Sequence, residues 1–253
     1  MGQNWSKNLR KIVTDKIEKV SVFNASRHEL PVVISIPHSG LYVTEAMNNS
    51  LRKETVLANM DWYLPDLYDF LKDLGFTVIV NNISRYVVDV NRDINASKDY
   101  EDKYTNSLVY MLNTFGKPMY KNKLNKEEID YRIFKFYQPF HEVLQNALDE
   151  KLKHFSKVYL FDLHSFAKEV NADVVLGNNL GSTLDDETTN LVRDLFGQNG
   201  FKVTLNKPYK DLLPNIMAKK MEIFRLYKLN LLIKYILITE FLMRKKCQML
   251  ILR

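Results

Sequence analysis

The chain has very little cysteine, glycine and histidine for its length. Its 253 residues include eight glycines, five histidines and a single cysteine, Cys247. One cysteine excludes a disulfide framework and is typical of proteins from a reducing compartment. The first residues also lack the apolar segment of a secretory signal. We therefore expect a cytoplasmic protein.

Several common functional motifs are absent as well. The sequence contains no glycine-rich phosphate loop, no Gly-x-Ser-x-Gly nucleophile elbow and no cysteine-based metal motif. Four charged residues interrupt its most aliphatic stretch, namely Arg225, Lys228, Lys234 and Glu240. Those charges argue against a transmembrane helix in that stretch.

The net charge of +6 is confined to the C-terminal segment. Residues 1–210 carry 27 basic and 27 acidic side chains, whereas residues 211–253 carry nine basic and three acidic ones. A basic chain often binds nucleic acids or membranes, but here the excess says nothing about the first 210 residues. We expect no nucleic-acid partner, and no membrane partner for residues 1–210.

Hydrophobic patterning predicts strands that alternate with long helices. Short β-branched runs indicate strands, and apolar residues at helical spacing indicate helices. The predicted strands are 32–36, 76–80, 86–90, 158–163, 173–177 and 201–205, and the predicted helices are 8–19 (a helix or an arm), 53–74, 127–156 with a break at Pro139, and 185–196. This order predicts an α/β domain with a mixed, mostly parallel sheet and helices on both faces.

Two His-Ser pairs follow two of the predicted strands. His38 lies in a Pro-His-Ser-Gly turn, and His164 lies in an Asp-Leu-His-Ser segment. Because the carboxyl ends of parallel strands border one crevice, the two imidazoles are expected to approach each other and hold one metal ion. Asp162 is two residues before His164 and shares its face of the strand. Such a carboxylate typically fixes the ring of a ligand histidine.

The third metal ligand and the remaining histidines are less constrained. Two histidines and one carboxylate form the usual ligand set of catalytic zinc, and Asp61 is a candidate for the carboxylate. Two alternatives remain open, a helix-terminal carboxylate for Asp61 and a locally hydrogen-bonded turn residue for His38. We expect His141 on a helix near the site entrance. The other two histidines, His28 and His154, are predicted to lie at the surface.

A further polar group follows the run 86–90. Arg92 can bind a carboxylate with two hydrogen bonds, and the Asn91 amide beside it can occupy a remaining lone pair. The alternative is an ion pair of Arg92 with Asp89 or Asp93 at the surface.

Together these segments resemble the N-formylglutamate amidohydrolase family. The resemblance covers about residues 28–210 and rests on Pro37 to Gly40, Asp61-Trp62, Val87 to Arg92 and Asp162 to Ser165. It implies a fold similar to zinc-dependent exopeptidases and hydrolysis of an N-acyl amino acid, a small-molecule substrate. It also implies Zn²⁺ as cofactor, with His38, His164 and Asp61 as its ligands. Asn91 and Arg92, assisted by Arg85, would bind the substrate carboxylate.

The C-terminal segment departs from that family. The family continues with a segment GGxITxHYG and a strand LQxE, whose glutamate resembles a general base. Residues 211–253 contain neither motif and no glycine, and 20 of these 43 residues are Leu, Ile or Met. We therefore divide the chain into an incomplete amidohydrolase-like domain, 1–210, and a basic, aliphatic tail, 211–253. The general-base glutamate that the resemblance implies is absent from this tail.

Three interpretations of the tail remain open. Residues 223–243 fit a divergent amphipathic helix. The tail could instead belong to a non-catalytic carboxylate- or metal-binding protein and meet a membrane surface or partner. Alternatively, the reading frame has shifted at Lys210, because a shifted reading of residues 210–229 gives GFITKHYGKKDGNISALQIE and restores both motifs. With a shifted frame we expect impaired activity, loss of the last strands and an exposed sheet edge.

Overall fold

A computed structural model describes residues 11–12, 17–94, 107–166, 170–207 and 221–229, with backbone alone for 11–12 and 221–229. The strands in these ranges are β1 (Lys11–Ile12), β2 (Val20–Phe23), β3 (Val32–Ile36), β4 (Tyr42–Val43), β5 (Thr77–Asn81), β6 (Val158–Phe166), β7 (Val174–Gly177), β8 (Val203–Leu205) and β9 (Met221–Leu229). The α-helices there are α1 (Glu45–Ser50), α2 (Leu64–Leu67), α3 (Phe70–Asp73), α4 (Lys126–Arg132), α5 (Gln138–Leu152) and α6 (Asp186–Gln198).

Seven strands form one mixed sheet in the order β2-β5-β3-β6-β9-β7-β8. The four central strands β5, β3, β6 and β9 are mutually parallel, and β7 and β8 are parallel to each other. Antiparallel pairs join β2 to β5 and β7 to β9. The predicted mixed, mostly parallel α/β sheet is confirmed.

Each face of the sheet packs against helices. Successive strand side chains point to opposite faces, so Val33 and Ile34 belong to two different cores. The core containing Val33 takes its helical residues mainly from α5, namely Phe140, Leu144 and Leu148. The core containing Ile34 takes Leu64, Leu71 and Phe196 from α2, α3 and α6. Both faces of the sheet are therefore covered, as predicted.

The long helical region predicted at 127–156 is confirmed together with its interruption. A π-helical turn, Ile133–Tyr137, separates α4 from α5, and Pro139 lies in the first turn of α5. Proline cannot donate the backbone hydrogen bond of a regular helix. The wider turn just before it is consistent with that missing bond.

Three predicted elements differ from the structure over part or all of their length. Residues 53–63 are not helical, because their buried apolar side chains, such as Leu57, line the core from irregular backbone. Residues 86–90 are equally buried but form turns instead of a strand. Lys11–Ile12 forms a strand where 8–19 was predicted to be a helix or an arm. For 53–63 and 86–90 the apolar pattern reflects burial, which a loop in the core provides as well as a regular element does.

The C-terminal segment contributes a strand to the middle of the sheet. β9 pairs with β6 on one side and with β7 on the other. The amphipathic-helix interpretation is therefore wrong for residues 223–229, and the rest of 223–243 lies outside the described residues. The expected exposed edge beside β6 is wrong too, since β9 occupies that position.

Candidate metal centre

Three chain segments meet at the carboxyl ends of β3, β5 and β6. They are the His38 turn after β3, the segment that follows β5 and the last residues of β6. His38 follows β3 after one residue, and His164 lies in β6. The two imidazole rings are 4.8 Å apart between centroids, and both side chains are buried. The sequence prediction that the two His-Ser segments converge is confirmed by this geometry.

The turn that carries His38 is fixed by a close approach of two backbones. A Cβ atom on Gly40 would lie 2.3 Å from the Ile83 carbonyl oxygen, so only glycine fits there. Asn81, at the end of β5, donates hydrogen bonds from its side-chain amide to the carbonyls of Pro37 and Ile83. These contacts hold the His38 turn against the segment that follows β5.

Asp61 lies between the two histidines. Its Oδ2 is 3.1 Å from Nδ1 of His164 and 3.7 Å from Nδ1 of His38. Its Oδ1 accepts a hydrogen bond from the Ser165 hydroxyl at 2.9 Å. Asp61 lies three residues before Leu64, the first residue of α2, and its carboxylate contacts His164 and Ser165. The structure therefore brings all three predicted ligands together.

The opposite nitrogen of each imidazole is held by a second carboxylate. Nε2 of His164 lies 2.8 Å from Oδ2 of Asp162, the contact expected from their spacing on the strand. Nε2 of His38 lies 2.7 Å from Oδ1 of Asp89. Carboxylates that orient histidines in this way are typical of metal sites. Both Nδ1 atoms consequently face Asp61, where one ion could be shared.

The donor set and its burial suit a divalent metal. One ligand atom each from His38, Asp61 and His164 lies within 4.8 Å of the others, and all three residues are buried. Two imidazoles with one carboxylate are a common set for a transition metal. The arrangement is therefore chemically able to hold a metal ion.

Asp89 is the main site residue that sequence reasoning missed. Besides His38, its carboxylate accepts hydrogen bonds from the Asn91 backbone, the Arg85 guanidinium and the Tyr110 hydroxyl. It was considered only as a surface partner of Arg92, yet it is fully buried. A single acid between valines in the segment 87–90 was the available signal.

The predicted carboxylate-binding residues lie next to this cluster. The Asn91 amide nitrogen is 3.0 Å from Nε2 of His164. Nε of Arg92 is 3.7 Å from Oδ2 of Asp89, and the Arg92 side chain retains 23% exposure. The predicted alternative of an Arg92–Asp89 pair is thus present, but around a buried carboxylate. Arg85 is buried and donates to Asp89 at 2.7 Å.

The local environments shift the pKa values of His38 and His164 in opposite directions. Burial and the nearby Arg85 charge lower the pKa of His38 to about 4, against the opposing effect of Asp89. Burial also disfavours the charged form of His164, but Asp162 and Asp61 outweigh it and raise the pKa of His164 to about 9. Burial opposes ionisation of Asp61, yet contact with His164 lowers its pKa. Since metal ligands must be deprotonated, a bound metal would displace the His164 proton.

The other described histidines stand apart from this cluster. His141 lies on α5, as predicted, and its Nε2 donates to the Val90 carbonyl at 2.9 Å. His154 is exposed and His28 is half-buried, close to the surface position predicted for both. Within the described residues, no helix has the length and apolar character that crossing a bilayer requires.

Comparison with known proteins identifies related sequences. A sequence model described as N-formylglutamate amidohydrolase matches residues 30–222. An N-formylglutamate deformylase from Pseudomonas putida is 34% identical over 158 residues, which are 61% of this chain and 58% of the relative. One from Pseudomonas aeruginosa is 31% identical over 175 residues, which are 65% of this chain and 65% of the relative. The chain therefore spans about 58 to 65% of these relatives.

Two solved structures share the fold. The N-formylglutamate amidohydrolase from Ralstonia eutropha JMP134 superposes with a TM-score of 0.72 at 21% identity, covering 85% of this chain and 87% of that one. A gene product of Agrobacterium tumefaciens superposes with a TM-score of 0.73 at 17% identity, covering 96% and 100%. At these identities the structures support the fold alone. The family match, which spans most of the sequence, shows that the chain belongs to the N-formylglutamate amidohydrolase family.

Proposed function

We propose that this chain is built to hydrolyse the amide bond of N-formyl-L-glutamate, or of a related N-acyl amino acid. The products would be the free amino acid and the carboxylic acid of the acyl group, which is formate for a formyl group. The buried group of His38, Asp61 and His164 is the observation that carries the proposal. Support comes from the family match and from relatives named N-formylglutamate deformylase.

Zn²⁺ is the proposed cofactor, with Nδ1 of His38, Nδ1 of His164 and an Asp61 oxygen as its protein ligands. Zinc commonly takes two histidines and one carboxylate in hydrolytic sites and leaves a position open. When bound, it would polarise the acyl carbonyl and lower the pKa of a water molecule. Asp89 and Asp162 would keep both rings in the ligating orientation, since each holds an Nε2 atom.

Arg92 and Asn91 are proposed to bind the substrate carboxylate. Arg92 is the more accessible of the two arginines near Asp89, because its side chain is 23% exposed and that of Arg85 only 8%. A guanidinium can donate two parallel hydrogen bonds to a carboxylate. Arg85, which faces Asp89 directly, would assist by offsetting the negative charge beneath the substrate.

Activity in this chain is proposed to be impaired, because the expected general-base glutamate is missing. In the shifted reading that glutamate falls at position 229, the last residue of β9. Position 229 pairs with Phe166, two residues beyond the pair of position 227 with His164. Positions two apart share a face of a strand. A glutamate there would lie at the carboxyl end of the parallel strands, close to the end of β6 that carries His164.

Formate release from N-formyl-L-glutamate by the zinc-loaded protein tests this proposal. A frame-restored protein made from the same gene is expected to release formate, and the present chain to release little or none. Replacing His164 by alanine in the frame-restored protein should abolish turnover and remove the zinc equivalent that the cluster of His38, Asp61 and His164 would hold. Full turnover by that His164→Ala variant would contradict the proposed site.

A non-catalytic role as a carboxylate- or metal-binding protein is the second candidate. It is favoured by the missing glutamate and by the excess of basic residues in 211–253. Truncation after residue 229 keeps β9 and removes much of that charge. If this role is correct, the full chain should bind anionic vesicles and the truncated chain should not. Equal vesicle binding by both would argue against it.

A further inference from the structure

A second group of potentially metal-ligating side chains lies on other segments than His38, Asp61 and His164. His28 belongs to the loop between β2 and β3, whereas Glu150 lies in the last turn of α5 and His154 lies two residues after the end of that helix. One ligand atom from each of the three residues lies within 4.8 Å of the others. More than 120 residues of chain separate the two segments, and the fold brings them together.

The positions of the rings and the carboxylate favour a shared ligand. The imidazoles of His28 and His154 stack with centroids 4.1 Å apart. Nε2 of His154 lies 3.7 Å from Oε1 of Glu150, one helical turn earlier. Lys153 holds the other oxygen of Glu150, so the carboxylate has a defined orientation. Residues four apart on a helix are neighbours on its surface and can bind one ion together.

One imidazole nitrogen in this group lacks a partner. Nδ1 of His28 is buried and has no hydrogen-bond partner among the described residues. A buried polar atom without a partner is unfavourable and calls for an explanation. A cation coordinated by the His28 ring would supply the missing interaction, either directly or by reorienting the ring.

The junction that carries the group is already anchored. Lys151, which is buried, donates from Nζ to the carbonyl of Arg27, the residue before His28. The loop and the helix end are therefore held together independently of the three ligands. Tetrahedral zinc needs ligand atoms roughly 3.4 Å apart, so atoms that now lie within 4.8 Å of one another would have to approach by at most roughly 1.4 Å. Glu150 and His154 have the exposed side chains to do so.

We propose that His28, Glu150 and His154 form a second site for a divalent transition metal such as Zn²⁺. Two imidazoles with one carboxylate suit zinc, copper or nickel better than calcium or magnesium. The site is partly exposed, so water would complete the coordination. A bound ion would join the loop that enters β3 to the end of α5. The proposal does not depend on the hydrolytic function, because none of its residues contacts His38 or His164.

Zinc titration of the full chain, with zinc alone as the probe, tests the proposal. Wild type is expected to bind one more equivalent of zinc than the double variant His28→Gln/His154→Gln. A His164→Ala variant should lose the other equivalent and keep this one. Glu150→Gln, a change at an exposed side chain, should weaken the second equivalent at least tenfold.

Circular dichroism establishes that each variant is folded. The proposal is overturned if wild type and the folded double variant bind the same number of equivalents with the same affinities. It is equally overturned if the folded His164→Ala variant binds no zinc, since the only site would then be the one at His164. Failure of the hydrolytic assay would leave both of these results unaffected.

Discussion

The strands on the two sides of β6 contribute very differently to the site. β3 leads into His38, whose ring contacts Asp89. The turn that carries it is fixed by the close approach at Gly40 and by the hydrogen bond from Asn81 to the Pro37 carbonyl. β9 pairs with β6 over nine register positions, from Met221 to Leu229. Its sequence nevertheless contains neither the LQxE motif nor a glutamate at 229. Strand pairing uses backbone groups that every residue except proline supplies. A general base, by contrast, requires one particular side chain at one position of the strand.

Replacing the C-terminal segment by the proposed alternative reading from codon 210 should have the largest effect on this comparison. The change keeps a strand at β9 and adds the glutamate at position 229. A general base typically contributes about 10² to 10⁴ in rate. We therefore expect formate release from N-formyl-L-glutamate to rise by at least about 10²-fold, measured as kcat/KM with zinc present.

The control is a frame-restored protein in which that glutamate is replaced by glutamine. It should retain the pairing of β9 with β6 and lose most of the gain. An intact reading frame in the genomic DNA, with codons incompatible with the shifted peptide, would contradict the frameshift itself.

The same contrast explains what sequence reasoning could reach. The strands 32–36 and 158–163 were predictable because short, buried β-branched runs have few other uses. β9 was missed because Ile223, Leu226 and Leu229 recur at spacings of three, which also fit a helix. Only the tertiary environment, two strands with open edges on either side, selects the extended form.

Gly40→Ala tests the β3 side of the comparison, and its effect is measured as a change in the free energy of unfolding. The added methyl group would overlap the backbone at Ile83, and the two loops would have to separate. Overpacking of this kind costs up to about 3 kcal/mol of unfolding free energy. Chemical denaturation measures the loss.

Gly197→Ala is the matched control for that substitution. Gly197 lies in α6 with open space around it, so alanine should raise stability by up to about 1 kcal/mol. If the two variants were equally stable, the close approach at Gly40 would not constrain the His38 turn.

Asp89→Asn should weaken zinc binding without removing a ligand. The substitution removes the charge that orients His38 and faces Arg85. Changes to such supporting groups typically lower metal affinity about 10- to 100-fold. Competition with a chromophoric chelator measures the affinity, and Asp93→Asn provides the same chemical change in the same segment. An unchanged affinity in the Asp89 variant would show that His38 needs no orienting partner.

The role of Asp89 could not be derived from the sequence, for a physical reason. Its partners Arg85, Tyr110 and His38 come from separate loops, and only His38 and Arg85 were singled out. The convergence of His38 and His164 was easier to predict, because the parallel strands that carry them end on the same side of the sheet. Contacts between irregular segments follow no period and become visible only in the fold.

The smallest effect is expected at His141, whose Nε2 donates a hydrogen bond to the carbonyl of Val90, the residue before Asn91. Burial lowers the pKa of His141 to about 4, from 6.5 when exposed. The unfolded chain therefore takes up the proton first as the pH falls. The His141 contribution is complete above pH 6.5 and is lost progressively towards pH 4. At about pH 5.5 the loss amounts to about 1 kcal/mol.

His141→Gln can still donate to the Val90 carbonyl but does not titrate. Its stability should therefore fall by about 1 kcal/mol less than that of wild type between about pH 7.5 and 5.5, as followed by urea unfolding. Parallel curves for wild type and His141→Gln would mean that the imidazole is not held neutral beneath Val90. A pH-dependent difference between wild type and His141→Gln would show that the buried contact of His141 with the Val90 carbonyl stabilises the part of the site next to β3. For β9, by contrast, backbone pairing is the only support among the described residues.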